Sequence, residues 1–245
     1  MHRLLRQWWV QLAIPWWSWL LLLSPVSADA ADPLAYPQSV DVEIKSLLAA
    51  GAQESSDPVF LITLAELYLD AGDDLYTKES ARRRAYAEGA KIALRVVELQ
   101  DTNAEAHYLY AANLGSAARL KGIMASALTV GTLRTHTARA LELDPNHPQA
   151  LHMMGKLLDE LPEIFGGDPE QALLYLQRAV EVDPSYTHAR LNLAKAYLTR
   201  DRRHEARREL QTILQTDPAR SPYALAQRHR PEAQSLLESL RSDQR

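Results

Sequence analysis

An all-α solenoid of stacked helical hairpins is the fold this sequence predicts, and three observations predict it. The hexad Ala140-Leu141-Glu142-Leu143-Asp144-Pro145 recurs as Ala179-Val180-Glu181-Val182-Asp183-Pro184 and as Ile213-Leu214-Gln215-Thr216-Asp217-Pro218. Small residues stand beside large apolar ones at helical spacing throughout the same region, as in Leu193-Ala194 with Tyr197. Runs of alternating β-branched and polar residues, the mark of strands, are nearly absent.

Residues 1–28 are expected to be a secretory signal peptide. Arg3 and Arg6 precede an apolar stretch from Trp8 to Leu23, and Val26-Ser27-Ala28 supplies the small residues of a cleavage site. Cleavage is expected after Ala28, with Ala30 as the second choice. The alternative is an uncleaved N-terminal membrane anchor. Gln11 and Pro15 interrupt the apolar run, which leaves it short of the roughly 20 residues a spanning helix needs. All five tryptophans, at 8, 9, 16, 17 and 19, lie in this segment. The expected location is therefore periplasmic or secreted. A linker, 29–38, contains Pro33 and Pro37.

Residues 39–245 are expected to form one repeat domain. A helix from about Ser39 to Ala50 comes first and stops at Gly51. Four hairpins come next at about 58–103, 104–147, 148–186 and 187–220. Asp57-Pro58 starts the first with a cap and a proline at the first helical position, and Gly72 is placed at the end of its first helix. The second has Tyr110-Ala111 and Leu114 on one helix and the small residues Ala125, Ala127, Gly131 and Thr137 on the other. The third carries the insert Leu161-Pro162-Glu163-Ile164-Phe165-Gly166-Gly167, after which Asp168-Pro169 restarts a helix. The fourth is the most regular: Ala194 and Ala206 let two helices cross closely, with Leu193, Tyr197, Leu210 and Ile213 around the crossing. Capping helices at 221–241 cover the last repeat with Ala233, Leu236, Leu237 and Leu240.

Pro184 to Pro218 spans 34 residues, the tetratricopeptide period, while the two preceding intervals of 39 and 44 carry inserts. The array thus resembles the tetratricopeptide-repeat superfamily. Its insert Leu161 to Asp168, with Ala172, Leu193-Ala194, Tyr197 and the ending Ala233 to Leu237, resembles the T component associated with TRAP transporters. That resemblance implies a periplasmic repeat protein paired with a solute-binding protein. The family's lipid-bearing cysteine has no counterpart in a chain without cysteine. The middle, His107-Tyr108 with Gly122, Leu143-Asp144-Pro145 and His152-Met153-Met154-Gly155, is similar to the regulator of microtubule dynamics family, which implies a repeat adaptor with no catalytic residues.

Composition narrows the chemistry. The absence of cysteine excludes disulfides, thiolate metal sites and a cysteine nucleophile. A net charge of −4 gives no basic footprint for nucleic acid. Arg82-Arg83-Arg84 is short, and Arg202, Arg203, Arg207 and Arg208 interleave with Asp201, Glu205 and Glu209 as a solvated, salt-bridged face. No His-Glu-x-x-His pair, nucleophile elbow or phosphate loop is present; Gly166-Gly167 is a turn. Asp73-Asp74 and Glu160 with Glu163 lie at helix ends, where solvated carboxylates are ordinary. No enzyme activity, cofactor or metal is expected.

A binding surface is expected where the first helices of the hairpins face inward. In register these positions are Glu105, Tyr108 and Ala112; Gln149, His152 and Lys156; and His188, Asn192 and Lys195. The partner-binding residues are expected to be Tyr108, His152, Lys156, His188, Asn192 and Lys195, with the lysines as charge partners of an acidic peptide or carboxylate and Asn192 as a hydrogen-bonding clamp. The expected role is a protein-protein interaction scaffold of the cell envelope. The alternative is a transporter-associated small-ligand module, its pocket at the small-residue helix Ala125 to Thr137.

Overall fold

The structure is a computed structural model that describes residues 35–242, so the expected signal peptide lies outside the described residues. The chain runs through α1 (Gln38–Ala49), α2 (Pro58–Asp70), α3 (Glu79–Leu99), α4 (Ala104–Lys121), α5 (Ile123–Leu143), α6 (Pro148–Glu160), α7 (Pro169–Val182), α8 (Thr187–Leu198) and α9 (Arg203–Gln215). The short α10 (Pro222–Ala224) leads through a π-helical turn, Leu225–His229, into α11 (Arg230–Ser242). There is no strand among the described residues, and no helix there is long and apolar enough to cross a membrane. The fold is a tetratricopeptide-type α-solenoid.

Local chemistry sets the helix starts. The Asp57 carboxylate accepts from the Val59 amide at 2.9 Å, Asn103 from Ala106 at 3.0 Å and Asp168 from Gln171 at 3.0 Å, each satisfying an N–H that the helix itself leaves unpaired. Pro58, Pro148 and Pro169 occupy first positions, where a missing N–H costs nothing. Gly72 does not simply end α2: it lies in a π-helical turn, Ala71–Leu75, that prolongs the helix. Of the capping helices expected at 221–241, the last, α11, is continuous with the Leu225–His229 turn.

Hairpin crossings use the small residues as expected. Ala194 and Ala206 are fully buried, ringed by the buried Leu193, Tyr197, Leu210 and Ile213. Each such aliphatic side chain removed from water contributes about 1.5–3 kcal/mol. At the α6–α7 crossing a Cβ on Gly155 would meet Leu176 at 2.8 Å and the Ala172 carbonyl at 3.1 Å, so only glycine lets these backbones approach. The array ends where Ala233, Leu237 and Leu240 of α11 cover Leu210 and Ile213. Within the first hairpins a polar tie appears: Asn113, fully buried, donates to the carbonyls of Leu109 at 3.0 Å and Ala65 at 3.2 Å, joining α4 to α2.

The second helix of hairpin two, α5, buries only Thr137 and Ala140, and Ile123, Met124 and Leu128 at its start are exposed.

Candidate functional site

The first helices α2, α4, α6 and α8 line a chamber of about 800 Å³. Its remaining wall is built by the segment Arg220–Ala224 with Arg228 and His229, and by Tyr36 ahead of α1. Contacts among its lining residues join the N- and C-terminal parts of the described chain. Arg228 forms an ion pair with Asp74, and Tyr36 donates to the same carboxylate. The Tyr36 ring meets the Tyr223 ring edge-on, with centroids 5.3 Å apart.

Tyr108, His152, Lys156 and His188 line the chamber together with Glu105 and Gln149. Asn192 and Lys195 are not among the lining residues. Asn192 lies behind His152 and donates to its Nε2 at 2.6 Å, so His152 carries its proton on Nδ1 and donates that to the Tyr186 hydroxyl at 3.0 Å. Lys195 is paired with Glu232 of α11 at 2.7 Å, and Lys156 stands 3.4 Å from Glu160, one turn along α6. The small-residue helix α5 contributes no residue to the lining, so the chamber is not where a small-ligand pocket is expected from the sequence.

Asp73 and Asp74, which read in the sequence as solvated helix-end carboxylates, both line the chamber, and the Asp74 side chain is only 7% exposed. Glu66, Asp70, Arg119, Arg220, Arg228 and His229 also line it, and sequence reasoning singles out none of them. The π turns that hold Asp73, Asp74 and Arg228 have no sequence pattern as distinct as a capping box.

Three imidazoles from separate elements form a stack along one wall. His152 and His188 have ring centroids 4.6 Å apart, and His188 stacks on His229 at 5.2 Å with an interplanar angle of 19°. Burial pushes His152 down to about 3, helped by Lys156 and His229. His229, which hydrogen-bonds Thr187 at 2.8 Å, is pushed down to about 4 by burial and by Arg228. His188 is wetted by the chamber but enclosed by protein, and it is held well below the ordinary imidazole value by burial and by the other two rings. All three are therefore neutral near pH 7.

A further part of the lining is acidic. Burial pushes Asp70 up to about 7, and the neighbouring Glu66, Asp74, Asp73 and Glu43 add to the effect. Glu66 and Asp73 are exposed to the chamber yet raised in the same direction, mainly by partial desolvation among the protein walls. Asp73 accepts from the Tyr86 hydroxyl at 2.6 Å. Among the described residues no group of three or more His, Asp or Glu side chains could hold a metal ion.

A family model described as regulator of microtubule dynamics protein 1-3 matches residues 31–160, and a tetratricopeptide-repeat model matches residues 166–230. Regulator of microtubule dynamics protein 1 of Bos taurus is 30% identical over 162 residues, covering 60% of this chain and 51% of that one. The Mus musculus protein 1 is 28% identical over 162 residues, covering 60% and 53%. The chain thus spans about half the length of the curated relatives it matches. A thermophilic tetratricopeptide-repeat protein of Thermus thermophilus superposes with a TM-score of 0.62 at 16% identity, covering 82% of this chain and 92% of that one, a likeness of fold. With a matching family model that covers more than half of its residues, this chain belongs to the regulator of microtubule dynamics protein 1-3 family.

Proposed function

We propose that this protein is an exported, non-catalytic scaffold that seats a segment of a partner protein in the chamber between α2, α4, α6 and the returning C-terminal segment. The observation that carries the reading is the chamber itself. A repeat array that only packed would leave an open concave face, whereas here the ends are tied by Arg228, Asp74, Tyr36 and Tyr223 around a volume in the range of ordinary binding pockets. The lining mixes tyrosines and imidazoles with a few charged groups, which suits recognition of a short peptide. The role in microtubule dynamics named for the relatives belongs to longer proteins and is not carried over to this chain. The T-component resemblance rests on the insert and the C-terminal pattern, and the family that matches is a different one.

The test is a cross-linking pull-down with the processed protein against a Gln149→Trp variant. Gln149 lines the chamber on a partly exposed face of α6, so the indole fills space without disturbing the core. A partner retained by the wild type and lost from the variant supports the reading; equal recovery moves binding to another surface. Export is tested by tryptophan emission of the extracytoplasmic protein. Cleavage after Ala28 or Ala30 removes all five tryptophans, and persisting emission identifies the uncleaved anchor.

A further inference from the structure

We infer that the ligand of the chamber is a basic segment, a lysine or arginine side chain of the partner seated against Glu66 and Asp70. This rests on the scaffold reading and deepens it by fixing the sign of the ligand's charge.

The charges in the chamber differ in whether they already have partners. Four cations line it among the described residues. Arg220 pairs with Asp183 at 2.8 Å, Lys156 with Glu160 at 3.4 Å, and Arg228 with Asp74. Arg119 donates to the Ser116 hydroxyl at 3.4 Å, and its charge acts on Asp73. The carboxylates come out differently. Tyr86 answers Asp73, Arg228 and Tyr36 answer Asp74, and Glu105 accepts from His147 Nε2 at 3.0 Å. Glu66 and Asp70 have no ion pair and no side-chain hydrogen bond among the described residues. They stand four residues apart on α2, where like charges repel, and Arg220 offsets Glu66 only through space. The three imidazoles of the lining are neutral and bring no positive charge.

Further features of the cavity point to a cation rather than to bulk solvation. Tyr36, Tyr108, Tyr186 and Tyr223 all line it, and aromatic faces attract ammonium and guanidinium groups. Tyr108 is a partly buried lining residue whose hydroxyl has no hydrogen-bond partner among the described residues. An ammonium or guanidinium group has donors enough for both carboxylates and for a hydroxyl acceptor in the same lining. The sequence-based expectation of an acidic ligand depends on Lys156 and Lys195, and both have carboxylate neighbours in the chain itself.

The same chemistry could come from a free polyamine, so the test has separate arms. Titration calorimetry of the full chain at pH 8 compares a lysine-containing hexapeptide, its glutamate-containing counterpart and spermidine. The proteins are the wild type, a Glu66→Gln/Asp70→Asn double variant, a Glu79→Gln/Glu98→Gln variant and Gln149→Trp. Glu79 and Glu98 are exposed on α3 and line no part of the chamber, so that variant changes net charge equally. The expected result is that the lysine peptide binds wild type and the α3 variant alike and the double variant at least tenfold more weakly. Spermidine binding tighter than the peptide, with the same loss, supports the cation site and assigns it to a free amine. Tighter binding of the glutamate peptide overturns the inference, as does a lysine peptide indifferent to the double substitution. In that last case, loss of binding in Gln149→Trp leaves the chamber standing as the partner site. Retention there removes the scaffold reading as well.

Discussion

Arg228 and Asp74 form an ion pair across 154 residues of sequence, and each sits in a π-helical turn, Leu225–His229 and Ala71–Leu75. A π turn adds a residue to the helical count and so rotates the side chains beyond it around the helix axis. Here the two turns bring opposite charges together in the lining of the chamber. Asp74 is only 7% exposed while Arg228 is 44% exposed, so the pair is asymmetric: removing the arginine leaves an enclosed carboxylate with the Tyr36 hydroxyl but no cation.

Arg228→Ala is therefore expected to loosen the closure more than the fold. The loss of stability should be about 1–2 kcal/mol, since one partner is half in solvent. Hydrogen exchange should accelerate in Ala71–Leu75 and Leu225–His229 while α8 and α9 keep their protection. Unchanged exchange in both turns would mean that the pair does not tie the two turns together.

Asp70 gives a pH signature. Its folded-state value is pushed up to about 7 by burial, by Glu66 on its own helix, by Asp74 and Asp73 of the adjoining turn and by Glu43 of α1. Arg228 faces Asp74 from the far side. A carboxyl raised above its unfolded value lets the folded state hold a proton that the unfolded chain has lost. Stability falls as pH rises from about 4 to about 7, and the penalty is constant above that. Asp70→Asn should thus be more stable than wild type at pH 8, by about 1–3 kcal/mol once the water of the chamber is allowed for, with most of the gain gone at about pH 4.5. Urea unfolding at the two pH values checks it, and a variant less stable at pH 8 refutes it. A lysine peptide, still protonated over this range, should bind more tightly at pH 8 than at pH 6.

The sequence made the repeats and much of the concave face legible because both obey a local 3.6-residue rule. Once Leu193-Ala194 and Tyr197 set the buried face of one first helix, the inward positions of the others are fixed, and Tyr108, Gln149, His152 and His188 all line the chamber. Asn192 and Lys195 lie in the same register but farther along α8, where Asn192 meets His152 and Lys195 meets α11. The acidic wall was not legible. Asp73 and Asp74 lie in a π turn that breaks the count, and Asp74 meets its partner only when Arg228 returns to it. That contact has no periodic signal.

The insert before α7 makes a sharper demand on one residue than its composition suggests. A Cβ on Gly167 would lie 1.8 Å from the Leu161 carbonyl oxygen, a backbone atom that has no rotamer to escape into. Its neighbour Gly166 takes φ 83°, and the Gly166 carbonyl accepts from Arg134 of α5 at 2.5 Å. Gly167→Ala should therefore cost about 2–4 kcal/mol and displace the Asp168 cap, read as a lower urea midpoint with an unchanged slope. Gly131→Ala, with open space around its Cβ, should be neutral or slightly stabilising and serves as the contrast.

Asn192 separates two roles by stability alone. If it served a ligand, truncation would weaken binding and leave the unliganded fold unchanged. In the structure it donates to His152 Nε2 at 2.6 Å, and that ring is 5% exposed and hydrogen-bonded to Tyr186 through its other nitrogen. Asn192→Ala removes the donor and leaves a buried acceptor unpaired, for a loss of about 1–2 kcal/mol at pH 8. His152 is held at about 3 in the folded state, so the unfolded chain takes up its proton first as pH falls below about 6.5, and wild-type stability declines from there toward pH 3. Without the Asn192 donor the lone pair on Nε2 is available to a proton. The variant's decline should then be shallower than the wild type's over the same range. A loss at pH 8 together with that shallower decline shows that Asn192 adds to the burial that keeps His152 neutral; no change in either would return it to the ligand.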